Sequence, residues 1–157
     1  MINVTKKSHR TARRRSGQTI VETAFMLAGV LIPTTIGMMQ FAIILNATNT
    51  LTQIAREGGR YAAVHGTEAG ADDAIRDYIQ SVAKGTSIKP TDLPDANITI
   101  AMAPLTSTST VIPARVSGNP IRVTIKFAMS KRVFVPNLPF LGNLKNDYFA
   151  TSTFVLE

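Results

Sequence analysis

The most prominent feature of the hydropathy pattern is an uncharged run of 33 residues, residues 23–55, between Glu22 and Arg56. Its most apolar part, residues 23–45, would form a helix about 34 Å long, and a bilayer core is about 30 Å thick. The pattern therefore predicts one membrane-spanning helix. A cleavable secretory signal has a shorter apolar region, and "LNATN" at residues 45–49 makes a poor cleavage site, so we favour a retained anchor.

The helical period continues beyond the apolar run. The recurring positions are Leu51, Ile54, Ala55, Gly58, Ala62 and His65. Charged residues of this stretch fall largely on other faces, and small residues at 55, 59 and 63 form a second row. The anchor helix is therefore predicted to continue to residue 65. Close packing of a neighbouring element, or a local bend, explains the small residues Ala55, Gly58, Gly59 and Ala63.

The remaining residues predict a small α+β domain. The helical pattern stops over residues 66–71, and we expect Asp72 to cap a short helix from Asp73 to about Lys84, with an apolar face. Residues 97–103 and 121–129 alternate between apolar and polar, and residues 147–156 are rich in aromatic residues and threonine. These segments predict an antiparallel sheet with one face on the helix. The side chains predicted to face inward from the best strand are Ile121, Val123, Ile125, Phe127 and Met129. The fold class is α+β, with a long N-terminal helix.

Two connections stand out from these elements. Residues 104–120, "PLTSTSTVIPARVSGNP", form a long Ser/Thr-rich connection and a candidate contact surface. Residues 135–143, "VPNLPFLGN", place Pro136, Pro139, Phe140 and Leu141 on an apolar loop. Such a loop either covers the end of a core or binds a partner.

The basic charge of the chain is concentrated at its N-terminus. The net charge is +7, and six of the 17 Lys and Arg residues precede Gly17, leaving 11 basic and 10 acidic residues in the remainder. The six are Lys6, Lys7, Arg10, Arg13, Arg14 and Arg15. A basic tail can bind nucleic acid, but beside a membrane span we interpret it as a topology signal that holds the N-terminus in the cytoplasm. We expect no nucleic-acid partner.

Three residues inside the span bear on helix geometry and packing. Pro33 removes a helix hydrogen bond and frees the carbonyl of Gly29, so a kink is expected. Gly29 and Gly37 lie eight residues apart, near one face, where another helix could approach closely.

Glu22 is out of place at the edge of an apolar helix. An unpaired carboxylate at the edge of the hydrocarbon is costly, which indicates either a function or a shallow position that reaches water. A glutamate in a first helical turn is also favoured by the helix dipole. The residue types alone leave both interpretations open.

The inventory of catalytic side chains is small. The chain has no cysteine, and its two histidines are His9 and His65. Neither a thiol nucleophile nor a histidine metal cluster is possible, and the aspartates at 72, 73 and 77 are typical of a helix start with a solvated face. We predict that the protein is not an enzyme and uses no metal, cofactor or small-molecule substrate.

The stretch "RRRSGQTIVE" resembles a type IV prepilin processing site, with Gly17 followed on the fifth residue by Glu22. Together with "LTQIAREGGRYAAVHG" at residues 51–66 and the ending "NLPFLGNLKNDYFATSTFVLE", it resembles the TadE-like pseudopilins of the tight adherence (Flp) pilus system. One departure is Thr23, where pilins of this system often have an aromatic residue; Phe25 follows two residues on.

The resemblance implies cleavage by prepilin peptidase between Gly17 and Gln18. It implies a leader (1–17), a long helix (18–65) that spans the inner membrane over about 23–45 and extends over 46–65, and a periplasmic domain (66–157). The freed amine of Gln18 in one subunit and Glu22 of a neighbour would neutralise each other and set the register between subunits. The implied role is a minor pilin-like component that assembles the pilus with other pilins and the secretion machinery.

A second hypothesis keeps the same anchor but gives the domain another task. In it the leader is retained and the protein is a membrane-anchored, extracytoplasmic binding module. The two hypotheses differ in whether the bond between Gly17 and Gln18 is cut.

Overall fold

The computed structural model describes residues 10–105, 112–132, 137–138, 142–143 and 147–157. The side chains of residues 10–16, 131, 137–138 and 142–143 lie outside this description. The described residues form two α-helices, α1 (Arg10–His65) and α2 (Ala71–Lys84). The strands are β1 (Ile98–Met102), β2 (Pro120–Ala128), β3 (Asn137–Leu138), β4 (Gly142–Asn143) and β5 (Asp147–Val155), with short 3-10 turns at Pro90–Asp92, Asp95–Asn97 and Met129–Lys131. The predicted α+β class and the end of the long helix at His65 are confirmed.

The chain forms two compact units. The first ends at Met39 and consists, in its described part, of helix α1 alone. The second, Gln40–Glu157, contains the remaining turns of α1 together with α2 and the strands. The domain boundaries predicted at residues 17 and 65 stay predictions, because they concern cleavage and function.

The main sheet has the strand order β1-β2-β5, and both pairings are antiparallel. Ile98 pairs with Ile125 at one end of β1, and Met102 pairs with Ile121 at the other. Strand β5 pairs with β2 from Pro120 opposite Val155 to Ala128 opposite Asp147. The predicted inward side is confirmed, since all five side chains named for it are buried. Alternation works here because successive side chains of a strand point to opposite faces.

The core of the second unit lies between the inner face of this sheet and the two helices. Leu51 and Ile54 from α1, Ile75 and Ile79 from α2, and Phe127 from β2 are all 0 % exposed. Burial of a large aliphatic or aromatic side chain contributes about 1.5–3 kcal/mol. The core therefore anchors the last five turns of α1 to the domain.

Helix α2 begins earlier than predicted, and the predicted cap is wrong. Gly70 occupies the N-cap position with a φ of 76°, and its carbonyl accepts hydrogen bonds from the amides of Asp73 and Ala74. A left-handed turn of this kind suits glycine, which has no Cβ to clash. Asp72 instead lies in the first turn, where its carboxylate forms an ion pair of 2.7 Å with Arg115.

The two loops predicted as contact or cover segments are only partly described. Residues 106–111 of the Ser/Thr-rich connection lie outside the described chain, as do Pro136, Pro139, Phe140 and Leu141 of the second loop. Within the second loop, β3 and β4 form a two-residue antiparallel pair. The proposed roles of both loops stay predictions.

Candidate processing site and assembly helix

The bond predicted to be cut lies inside helix α1, which begins at Arg10 and continues through Gly17 and Gln18. Gly17 and Gln18 are both exposed. Glycine lowers helix stability by about 1 kcal/mol relative to alanine, so the helix is weakened at the bond in question. The six cations that precede Gly17, by contrast, have side chains outside the described part, and their topological role stays a prediction.

Glu22 lies one helical turn after Gln18, on the same side of the helix. Its side chain is exposed, and no described residue forms an ion pair or hydrogen bond with it. Next to it, the hydroxyl of Thr23 donates a hydrogen bond of 2.9 Å to the carbonyl of Thr19. The residue that departs from the aromatic pattern thus has its polar group satisfied within the helix.

The helix around and beyond Glu22 presents apolar side chains to its surroundings on all sides. Those more than half exposed include Ile20, Val21, Phe25, Met26, Leu27, Val30, Leu31, Ile32, Met38, Met39 and Phe41. The segment is long and apolar enough to cross a membrane, and only 6 % of its most apolar window is buried. A helix that is apolar all round and unburied is compatible with single-pass anchoring in a bilayer.

Two threonine hydroxyls next to Pro33 are satisfied within the helix. The hydroxyl of Thr34 donates to the carbonyl of Val30 at 2.7 Å, and that of Thr35 to the carbonyl of Leu31 at 2.8 Å. These bonds bracket Pro33, the residue that interrupts the helix ladder. Hydroxyls bonded in this way enter hydrocarbon without leaving an unsatisfied donor.

Gly29 and Gly37 differ from the glycines further along the helix. A Cβ built at either position meets no described atom within 4 Å. Within the described chain they therefore have no packing role, and their surface is available to another molecule.

Gly58 and Gly59 are in close contact with two different elements. A Cβ at Gly58 would lie 2.5 Å from Cγ1 of Ile79 in α2. At Gly59 it would lie 2.7 Å from the ring of Phe154 in β5. Ala55 and Ala63 are buried on the same part of the helix. The segment "AREGGRYA" therefore lets α2 and the sheet approach α1 from two sides.

The charged residues of this segment lie on the outer side of α1. Arg56, Glu57 and Arg60 are exposed, and Arg60 is 3.9 Å from Glu57. Because they do not contact the core, they are available to solvent or to other molecules.

Two contacts near the end of α1 were not predicted from the sequence. The backbone N–H of Glu157 donates a hydrogen bond of 2.9 Å to the carbonyl of Ala63, which ties the C-terminus to the last turn of the helix. Tyr61 is stacked between His65 and Tyr78, with ring centroids 4.2 and 4.3 Å away. The spacing of Tyr61 and His65, four residues apart, was the one sequence signal for this stack.

Residues 17–60 match the family model described as TadE-like protein. No curated protein and no solved structure gives a significant match to the chain. The matched segment begins at Gly17, includes Glu22 and the apolar run, and ends at Arg60 of the segment that packs against α2 and β5. Over these residues the chain is similar to TadE-like proteins, and the match confirms the resemblance drawn from its sequence motifs.

Proposed function

We propose that this protein is a pilin-like assembly component of a tight adherence pilus, anchored in the inner membrane by α1. In this proposal prepilin peptidase removes residues 1–17, the new N-terminus at Gln18 stays on the cytoplasmic side, and the domain lies outside the inner membrane. The protein acts with other pilins and the assembly machinery, and it has no catalytic activity of its own. The TadE-like match, which starts at the residue before the proposed cut, supports this proposal.

The surface of α1 is suited to contact with lipid before assembly and to contact with the helices of other subunits after assembly. Its apolar side chains from Ile20 to Met39 are exposed, and its threonine hydroxyls are bonded to the helix itself. Such a helix can exchange a lipid environment for the helices of neighbouring subunits without exposing unsatisfied threonine hydroxyls. Gly29 and Gly37 offer open backbone for close approach.

Glu22 has a specific task in this proposal. Cleavage creates an amine at Gln18, and an amine and a carboxylate in an apolar environment stabilise each other when they are paired. Glu22 lies one turn from Gln18 and has no partner among the described residues, so its carboxylate is available to the amine of a neighbouring subunit. Pairing between subunits would set their axial register.

The cut is tested by determining the mature N-terminus of the full-length protein, co-expressed with its prepilin peptidase, by intact mass and N-terminal peptide mapping. Wild type should begin at Gln18, and Gly17→Ala should keep Met1 or Ile2. Gly29→Ala is the matched control, because a Cβ at either glycine meets no described atom and only Gly17 borders the proposed cut. An intact leader in the wild type would overturn the proposal in favour of an anchored binding module.

The role of Glu22 is tested separately with Glu22→Gln, which keeps the shape and removes the charge. Glu57→Gln makes the same change at an exposed position of the same helix, where the side chain is 48 % exposed. We expect normal cleavage in both variants and loss of co-purification with partner pilins for Glu22→Gln only. Equal pilin association in the two variants would refute the register role and leave the processing proposal intact.

A further inference from the structure

The end of the domain nearest the membrane can be located from contacts within the second unit. The apolar span is predicted to end at Leu45, and Oγ of Ser87 lies 3.5 Å from Oδ1 of the next residue, Asn46. At this distance any hydrogen bond is weak, but the contact places the loop after α2 beside the first residue beyond the span. That loop therefore lies at the level of the lipid headgroups.

Helix α2 runs antiparallel to the last turns of α1 and descends toward the same level. Tyr78 stacks on Tyr61, and Ile79 lies against Gly58. Lys84, five residues after Ile79, is then level with about residue 53 of α1, which is about 12 Å beyond Leu45. Lys89 follows Ser87, the residue beside Asn46, by two residues, so the backbones of these two residues are at most about 7 Å apart.

Among the described side chains, the cations Lys84, Lys89 and Arg132 lie at this end of the domain, and we refer to them as the basic end. Lys84 and Lys89 are exposed and form no ion pair or hydrogen bond with any described residue. The guanidinium of Arg132 donates to the carbonyl of Ser87 and lies 3.4 Å from Asp92. Arg132 thus holds the loop that carries Lys89 in place. The ammonium groups of the two lysines remain available to bind an anionic group.

The acidic groups near the basic end already have partners. Asp92 pairs with Arg132, and Oδ1 of Asp95 accepts a hydrogen bond of 2.8 Å from Nε2 of Gln80. The two lysines are therefore not neutralised by these neighbours.

The opposite end of α2 carries the reverse charge. Glu68 lies in the turn before α2, and Asp72, Asp73 and Asp77 lie in its first two turns. Asp72 pairs with Arg115 and Asp73 with Arg76, so Glu68 and Asp77 are the carboxylates of this group that have no ion-pair partner among the described residues. Charge is thus separated along α2, with the acidic end away from the membrane and the basic end toward it. An anionic surface attracts the basic end and repels the other, so the polarity favours one orientation.

We infer that the basic end docks the domain on the anionic headgroups of the membrane in which α1 is anchored. The inference rests on the proposed single-pass anchor. A headgroup layer is about 5–7 Å thick, and at physiological salt charges interact over about 8 Å, so extended lysine side chains at this level reach the surface potential. Each lysine near such a surface should favour the docked state about fivefold, and two lysines about 25-fold.

The test uses the full chain in nanodiscs of phosphatidylcholine, with or without phosphatidylglycerol. Because the chain has no cysteine, Thr91→Cys beside Lys89 provides a unique position for an environment-sensitive fluorophore. Thr67→Cys, at the opposite end of the domain, provides the control label. A headgroup-linked quencher then reports how much of each label lies at the lipid surface.

We expect the label at position 91 to be quenched more strongly in anionic nanodiscs than in neutral ones. The label at position 67 should be quenched equally in both. Lys84→Gln with Lys89→Gln should lower the docked-to-undocked ratio about 25-fold, and added salt should lower it as well. Arg60→Gln with Arg122→Gln is the matched control, because it removes two exposed charges further from Leu45.

Two results would overturn the inference in distinguishable ways. Quenching at position 91 that is independent of lipid charge, or that is lost equally in both double variants, refutes docking through the basic end and leaves the anchor standing. A chain that does not enter nanodiscs refutes the membrane anchor and the docking together.

Discussion

Replacing Gly58 by alanine tests whether the close approach of α1 and α2 limits the stability of the domain. The new Cβ would lie 2.5 Å from Cγ1 and 2.8 Å from Cδ1 of Ile79, a side chain that is 0 % exposed. Neither distance is tolerable, so Ile79 or the helix that carries it must move. Overpacking of this kind costs about 1–3 kcal/mol, and the higher helix propensity of alanine returns about 1 kcal/mol. The expected net loss is about 1 kcal/mol.

The assay is urea unfolding of the full-length protein in detergent, followed by tyrosine fluorescence. The chain has three tyrosines and no tryptophan, and two of the tyrosines, Tyr61 and Tyr78, are stacked across the interface in question. The signal therefore reports separation of α1 from α2. Gly85→Ala is the control, because its Cβ would make only an ordinary contact at 3.7 Å. The free energy of unfolding of Gly85→Ala should lie within about 0.5 kcal/mol of the wild-type value, or slightly above the wild-type value.

A double-mutant cycle isolates the contact itself. Ile79→Ala removes both atoms that the new Cβ would meet, so Gly58→Ala should cost less in that background than in the wild type. The reasoning is refuted if Gly58→Ala matches Gly85→Ala in stability, or if its cost is the same with and without the Ile79 side chain.

Two further predictions concern the core and the surface of the domain. Phe127→Ala should lower the free energy of unfolding by about 3–5 kcal/mol, because that ring is 0 % exposed, whereas Phe149→Ala, at 56 % exposure, should change it far less; urea unfolding of the two variants checks this. A double-mutant cycle on Asp72 and Arg115 should give a coupling of at most about 1 kcal/mol that weakens with salt, because both side chains are partly exposed; a larger, salt-independent coupling would contradict that estimate.

The long apolar helix and the alternating strand were predictable because each depends on neighbours along the chain. The length of the apolar run predicts a span without reference to anything else, and the period of residues 121–129 predicts which side of β2 is buried. The structure confirms the buried side of β2, and it contains a helix that is long and apolar enough to cross a membrane.

The start of α2 was mispredicted because two local signals competed. Aspartate is a common N-cap, and Asp72 stood just before an apolar helical pattern. Gly70 occupies the N-cap position in a left-handed conformation, and the carboxylate of Asp72 forms an ion pair with Arg115, 43 residues later in the chain. A local pattern of residue types cannot predict an ion-pair partner at that separation in the sequence.

The glycines of α1 show most clearly what the sequence determines and what only the tertiary structure decides. By itself, the sequence determined that a basic segment precedes an apolar helix, that a glycine and a glutamate lie near the start of the apolar run, and that the helix continues into an α+β domain. Which glycines are packed was decided only by the tertiary structure: Gly58 and Gly59 contact α2 and β5, while Gly29 and Gly37 meet no described atom. Periodicity and charge are properties of neighbouring residues, whereas the space beside a glycine depends on segments far away in the chain that fold against it.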